Sequence, residues 1–445
     1  MGLLIGTGNT TPKFPYDYYY GVEFDTNVAN SACTRIGRPE LHVSLPIQSR
    51  MRRCLLNDDG SVNYYLHAND STLRDNGAAA NLTGIDGQVM VEIPEYWRKF
   101  EIIDTKIRVY LSEFQLPGFH FVPKCYRSAY EAAIDRTTSS APKLASVVND
   151  TIQFRGGNNN AAWDTETRSL LGKPGTNTSL TNYRTYARRR GTAGKSSAGW
   201  NCDVYDIQKN CYWLYVVEYA NLNSQAAFNA APTSEGFKQG GLGDGVTTIN
   251  STFWSDWNSR NPFVPCGYTN SLGNRTGILD YVMPAEYGTA LTVKVPSYRG
   301  LENPFGHVWS WTDGCKCRIS ADVANGGTGL SEFFVCNDPS KFQDSSYNDY
   351  ELRGNLPRAT GYIREMLMGE FGENMAKVAT GASSTTFFSD QFYTLLPTSG
   401  DAMRGVLFGG YASTGASAGL ASAYANYAAS SATANFGSRL CFIPE

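Results

Sequence analysis

The chain has little charge. Asp, Glu, Lys and Arg make up 18% of its 445 residues, and they leave a formal net charge of −3. Its single basic run is Arg188-Arg189-Arg190, which reads as a solvated loop. Without a basic stripe the charge pattern excludes nucleic acid as an expected partner. Histidine is scarce too: His42, His67, His120 and His307 are the full set, and none sits in an HExxH spacing. No stretch is long and apolar enough to span a bilayer, so no membrane insertion is expected. The N-terminus lacks a basic start followed by an apolar core, so no signal peptide is expected and synthesis is placed in a cytoplasm.

Ten cysteines occur: Cys33, Cys54, Cys125, Cys202, Cys211, Cys266, Cys315, Cys317, Cys336 and Cys441. In a reducing compartment they read as buried thiols. The Cys315-x-Cys317 pair has no second pair or histidine at zinc spacing, so neither a metal nor a cofactor is expected.

Aromatic residues are plentiful instead, with 27 Tyr, 22 Phe and 8 Trp. With abundant Gly, Ser, Thr and Asn, they point to an α+β, β-rich chain of short strands and ordered loops. Gln88–Ile93 and Lys106–Leu111 alternate polar with apolar residues, the period of a half-buried strand. Asn57-Asp58-Asp59-Gly60 predicts a hairpin turn. Ser128–Arg136 and Asn210–Phe228 carry helical spacing, the latter through Leu214, Val217, Leu222 and Ala226. Residues 137–200 and 229–290 read as loops, including the glycine-rich Gly240–Gly245. Residues 1–20 read as an N-terminal arm and 21–120 as a β-rich region.

From Arg404 the chain runs RGVLFGGYASTGASAGLASAYANYAASSATANFGSRLCF, with no charge before Arg439. A framework of Ala and Gly is interleaved with Tyr411, Ser413, Thr414, Ser417, Ser422, Tyr424, Asn426, Tyr427, Ser431, Thr433 and Asn435. Tyr offers a large contact area at low entropy cost, and Ser, Asn and Gly offer adaptable polar contacts, so these eleven inserts read as a binding surface. Such composition also describes a flexible linker. The bracketing apolar runs, Val406–Phe408 and Leu440–Ile443, favour an anchored segment. Inserts free to vary should be exposed, and the Ala and Gly spacers buried.

Tyr298–Asp313 reads YRGLENPFGHVWSWTD. Together with RGVLFGG…GSRLCF it resembles the variable proteins of diversity-generating retroelements. The leading GVEFDTNVANSACTRIG and LHVSLPIQSRMRRCLL resemble the equivalent region of such proteins in gut Bacteroides phages. The resemblance implies a C-type lectin-like fold over 121–445, of the branch shared with formylglycine-generating enzymes, with a variable region at 404–442. It implies a non-enzymatic receptor-binding tip of a phage tail fibre, located in the virion. The implied partners are a host cell-surface protein or glycan and tail-fibre or baseplate proteins, and the implied assembly is a homotrimer. It also implies that an error-prone reverse transcriptase turns AAY codons into NNY, and each of the eleven inserts is reachable that way. Alternatives are a formylglycine-generating-type enzyme or an inactive relative, and a variable adhesin on a bacterial surface.

The chemistry of the related families is only echoed. Glu302-Asn303-Pro304 and Trp311-Thr312-Asp313 share letters with a lectin calcium site, but in the wrong order and too close together. Cys315 with Cys317, or Cys336 with Cys441, are the candidate redox pairs, and nothing around them signals a thiolate. His307 reads as a core or turn histidine. Phe305, Trp309 and Trp311 read as core.

Overall fold

The computed structural model describes residues 16–156, 172–191, 199–249, 262–283 and 291–444. Strand accounts for 38% and helix for 13%, so the chain is β-rich. Residues 1–15 of the expected arm lie outside the described residues, as do 157–171, 192–198, 250–261 and 284–290 within the expected loops.

The hairpin forms where the turn signal placed it. Arg52–Leu56 and Val62–His67 pair antiparallel. Gly60 takes φ +84° and its N–H donates to the Asn57 carbonyl at 2.9 Å. A side chain at Gly60 would strike the Phe442 ring, so the turn is fixed by the chain's far end as well as by its own residues. Gln88–Ile93 is a strand with the expected boundaries, but both faces are buried. Lys106–Ser112 is likewise a strand.

The antiparallel seven-stranded sheet runs in the order 200–202, 440–442, 125–128, 88–93, 52–56, 62–67, 70–74. It takes strands from both sides of residue 120, so one ladder joins the β-rich leading region to the C-terminal part. A five-stranded antiparallel sheet contains Thr34–Gly37, Tyr20–Asp25, Lys106–Ser112, Tyr96–Ile103 and His120–Val122. The largest sheet, of eight strands, centres on Trp309–Ser320, flanked by Ser331–Val335 and Asp401–Gly409.

Among the described residues the α-helices are α1 (Pro39–Ser44), α2 (Leu180–Arg188) and α3 (Tyr205–Tyr219). Helix α3 packs against strands of both the five-stranded and the eight-stranded sheet. It is buried on every side, including Tyr212, Trp213, Tyr215 and Glu218 at 0% exposure. Glu218 is held there by Arg299 at 2.6 Å. A helix buried all round, with Gln208, Lys209, Asn210 and Glu218 among its buried residues, has no apolar stripe to mark its ends. The expected helix at 210–228 therefore starts earlier and stops at Ala220, which adopts a left-handed φ of +50°.

The helix expected over Ser128–Arg136 does not form. Cys125–Ser128 and Ala133–Asp135 are strands, and the intervening backbone is claimed from afar. The Ala129 N–H donates to Val89 and the Ala132 N–H to Ser438. Within the expected 137–200 loop, α2 is an addition, started by the Ser179 hydroxyl accepting from the Asn182 N–H at 3.2 Å. Gly240–Gly245 is irregular, as expected, with Gly240, Gly243 and Gly245 at positive φ.

Candidate functional site

The C-terminal segment is anchored at both ends. Asp401–Gly409 pairs with Trp309–Ser320 on one side and with Gly419–Tyr424 on the other. At the far end Phe436–Gly437 runs parallel to Trp309–Ser310, and Leu440–Phe442 enters the seven-stranded sheet between Cys125–Ser128 and Trp200–Cys202. The two sequence blocks YRGLENPFGHVWSWTD and GSRLCF meet here. Buried Arg439 donates to the Ser128, Glu302 and Asn303 carbonyls, and the Ser438 hydroxyl donates to the Trp311 carbonyl at 2.8 Å.

Between these anchors the backbone is held at several points along the segment. The Gly405 N–H donates to the Tyr427 carbonyl, Asn177 to Thr433, and Trp309 to Asn435. Ala412 donates to the His307 carbonyl and Ala425 to Tyr393. None of these bonds depends on the insert's side chain.

The inserts are expected to be exposed, and none of the eleven is: ten are half-buried and one is buried, although most spacers of the first half are buried as expected. Ala412, Ala418, Ala421, Ala423 and Ala425 are each at most 1% exposed. Their neighbours Tyr411, Ser413, Thr414, Ser417, Tyr424, Asn426 and Tyr427 are half-buried. Beyond residue 427 the alternation dissolves. Ser431, Thr433 and Asn435 are half-buried, as are spacers Ala428, Ala429 and Ala434, while spacer Ala432 is exposed; in the first half spacer Ala416 is exposed as well. Ser422 is a correction: it is fully buried, and its hydroxyl donates to the Gln391 carbonyl at 3.1 Å. It lies on the inward side of a strand sandwiched between two others, so it presents nothing to a ligand.

The tyrosines are neither core residues nor free. Tyr424 packs on Trp309 with ring centroids 5.2 Å apart, and stands edge-on to Tyr393 and Tyr427 at the same separation. Tyr427 in turn meets Phe436 at 5.0 Å, and Phe436 meets Trp311 at 5.5 Å. A continuous aromatic series thus runs from the core to the half-exposed surface. Burial, reinforced by Tyr427, pushes the Tyr424 phenol up to about 12, so it stays a protonated donor at neutral pH.

The site has members the C-terminal pattern does not contain. Tyr393 is brought in by parallel pairing of Gln391–Tyr393 with Gly419–Tyr424, opposite Tyr424. The Tyr362 hydroxyl lies 3.0 Å from the Ser417 hydroxyl. Ser430, the most exposed serine of the segment, was not among the eleven. It borders two cavities, of about 550 Å³ and 260 Å³.

The groups that echo other chemistries are committed to internal bonds. The Glu302 carboxylate accepts from the Gly267 and Thr269 N–H groups at 2.9 and 2.6 Å. Asp313 is held by Arg184 at 2.5 Å. His307 is 0% exposed. Its Nε2 accepts from the Phe263 and Val264 N–H groups at 2.8 and 3.0 Å, and its Nδ1 donates to Glu131 at 2.5 Å. Both nitrogens are thereby occupied in structural roles. Phe305, Trp309 and Trp311 are core, at 2%, 2% and 0% exposure. All ten cysteines are free thiols, and burial raises each of them, Cys315, Cys317, Cys336 and Cys441 included. Among the described residues no group of three or more His, Cys, Asp and Glu is placed to hold a metal ion, and no helix is long and apolar enough to cross a membrane.

Comparison with known protein families gives no match, and comparison with curated proteins gives none.

Proposed function

We propose that the chain is a diversified, non-enzymatic receptor-binding protein. In this reading it is a phage tail-fibre tip with a C-type lectin-like fold, and residues 404–442 recognise a macromolecule on the host surface. One observation carries it: at Ala412, Ala425, Tyr427, Thr433 and Asn435 the backbone is held by bonds that no insert side chain supplies, with the Thr414 hydroxyl accepting from the Tyr411 N–H as an exception, while ten of the eleven inserts retain exposed surface. Such a segment can change its side chains without losing its path. The tyrosine series adds large, rigid, amphipathic contact area, which dominates binding surfaces. Weak single contacts would be multiplied in a homotrimer, where avidity supplies roughly 10² to 10⁴. Tail-fibre or baseplate proteins would carry it in the virion.

The formylglycine-generating alternative draws no support from the thiols, because burial favours their protonated and unreactive form.

The test replaces two half-buried inserts that lie outside the aromatic series. A Ser413→Arg, Asn426→Arg protein should melt like the parent and lose adsorption to the cognate host. Unchanged adsorption would remove this surface from recognition. A near-copy of the codons for 404–442, with adenines at the insert positions and a reverse transcriptase gene alongside, would be the genomic counterpart.

A further inference from the structure

A second feature borders the same segment. Between α2 and the Asp401–Gly409 strand lies a cleft of about 260 Å³ whose lining includes Thr181, Lys316, Asp344, Arg404 and Ser430. Its charges are unequally satisfied. Both carboxylates at the cleft are already paired: Arg184 holds Asp313 at 2.5 Å and Asp344 at 2.7 Å. Asp344 also accepts from the Thr181 hydroxyl at 2.8 Å, and Asp313 from the Gly314 N–H at 2.8 Å. The cations are not balanced in the same way. Arg404 forms no ion pair among the described residues, and its Nε is buried without a hydrogen-bond partner. Lys316 is 4% exposed and donates to two backbone carbonyls, Gln343 at 2.6 Å and Ser346 at 2.8 Å. Its ammonium sits 3.7 Å over the Tyr350 ring. An ammonium has three donors, so one remains. Three cations, Arg184, Lys316 and Arg404, therefore face two carboxylates, and an unpaired buried donor on a guanidinium is costly.

We propose that this cleft binds the oxyanion of an acidic sugar, a uronate carboxylate or a sulfate ester, carried on a host surface polysaccharide. The inference rests on the receptor-binding reading for the source of that sugar. Arg404 supplies a planar fork of donors matched to an oxyanion, and the last Lys316 N–H supplies a second cation. Burial lowers Lys316 to about 8, and an anion beside it would raise it again. The volume falls just below the roughly 300 to 1,000 Å³ of sites for drug-sized ligands, which suits one sugar unit. The wall formed by Ala428, Ala429 and Ser430 follows directly on Tyr427, so a sugar in the cleft continues onto the tyrosine surface. There ring C–H faces can stack on aromatic side chains and hydroxyls can pair with Ser and Asn.

The test is calorimetric titration of the full chain with glucuronic acid, glucose 6-sulfate, glucose and inorganic sulfate. The acidic sugars should bind at least about tenfold more tightly than glucose, as a charge-assisted contact requires. The preferred acidic sugar identifies which oxyanion the cleft takes. Arg404→Gln should remove that preference and Arg404→Lys should retain part of it, while Lys294→Gln, at an exposed cation outside the cleft lining, leaves it intact. The parent comparison needs no variant, so a poorly folded Arg404→Gln protein does not remove the test. Equal binding of glucose and both acidic sugars, no binding, or binding of inorganic sulfate alone overturns the proposal. So does an acidic peptide that binds where the acidic sugars do not. None of these results touches the receptor-binding reading, which stands or falls on host adsorption of the Ser413→Arg, Asn426→Arg protein.

Discussion

Replacing Tyr424 by Ala tests how freely the inserts vary. If every insert were a surface side chain, each substitution would cost at most about 0.5 kcal/mol. Tyr424 does not fit that description, because its ring has three aromatic neighbours, Trp309, Tyr393 and Tyr427, each at 5.2 Å. Aromatic pairs contribute roughly 0.5 to 1.5 kcal/mol each, so three give about 1.5 to 4.5 kcal/mol. Area gives a similar figure. A tyrosine burying about half of its roughly 200 Å² removes some 100 Å² from water, or about 2.5 kcal/mol at 25 cal/mol per Å². Tyr424→Ala should therefore cost about 2 to 3 kcal/mol, whereas Ser413→Ala should stay within about 0.5 kcal/mol. Tyr424→Phe keeps the ring contacts and should also stay near the parent. Urea unfolding measures this as a shift of midpoint at unchanged slope. A Tyr424→Ala midpoint indistinguishable from that of Ser413→Ala would refute the reasoning, and would return Tyr424 to the freely variable surface.

Three further outcomes follow from buried groups. Gly419 has φ +146°, and a Cβ there would fall 1.9 Å from the Asp390 Oδ1, so Gly419→Ala should lose more than about 3 kcal/mol or fail to accumulate as soluble protein; an unchanged melt would show that the backbone yields there. His42 is 1% exposed, and burial lowers it from 6.5 to about 4 while Arg35 donates to its Nδ1. Its folded-state pKa lies below the unfolded one, so the neutral ring contributes stability above 6.5 that is lost as pH falls towards 4, about 3 kcal/mol in all. The stability difference between the parent and His42→Gln should shrink by that amount between pH 7 and pH 4, because the carboxylates common to both proteins cancel; a difference constant with pH would contradict it. A thiol reagent at neutral pH should react slowly with the native chain and rapidly with all ten cysteines in denaturant, since burial raises every thiol; a fast-reacting thiol in the native protein would reopen the redox alternative.

What the sequence determined by itself is local in origin. The alternation at Gln88–Ile93 and Lys106–Leu111, the turn at Asn57–Gly60 and the apolar runs around the C-terminal segment each contain their own signal, and each forms the element it announces. The interleaving of Ala with Tyr, Ser and Asn marked Ala412, Ala418, Ala421, Ala423 and Ala425 as inward-facing, and each is buried, but it did not mark Ala416 as exposed or Ser422 as buried. The tertiary structure decided the rest. Ser128–Arg136 has helical spacing, yet Val89 and Ser438 claim its N–H groups, and no local pattern records a partner three hundred residues away. Helix α3 buries polar and apolar residues alike on all sides, so periodicity could not place its ends. Ser422 obeys the alphabet of its neighbours and is buried because a third strand, Gln391–Tyr393, covers it. That same strand delivers Tyr393 to the site, and the fold alone leaves Arg404 and Lys316 unbalanced at one cleft. Spacing along a chain reports which faces a segment has; which other segments cover those faces depends on long-range pairing, whose free energy is shared among residues distant in sequence.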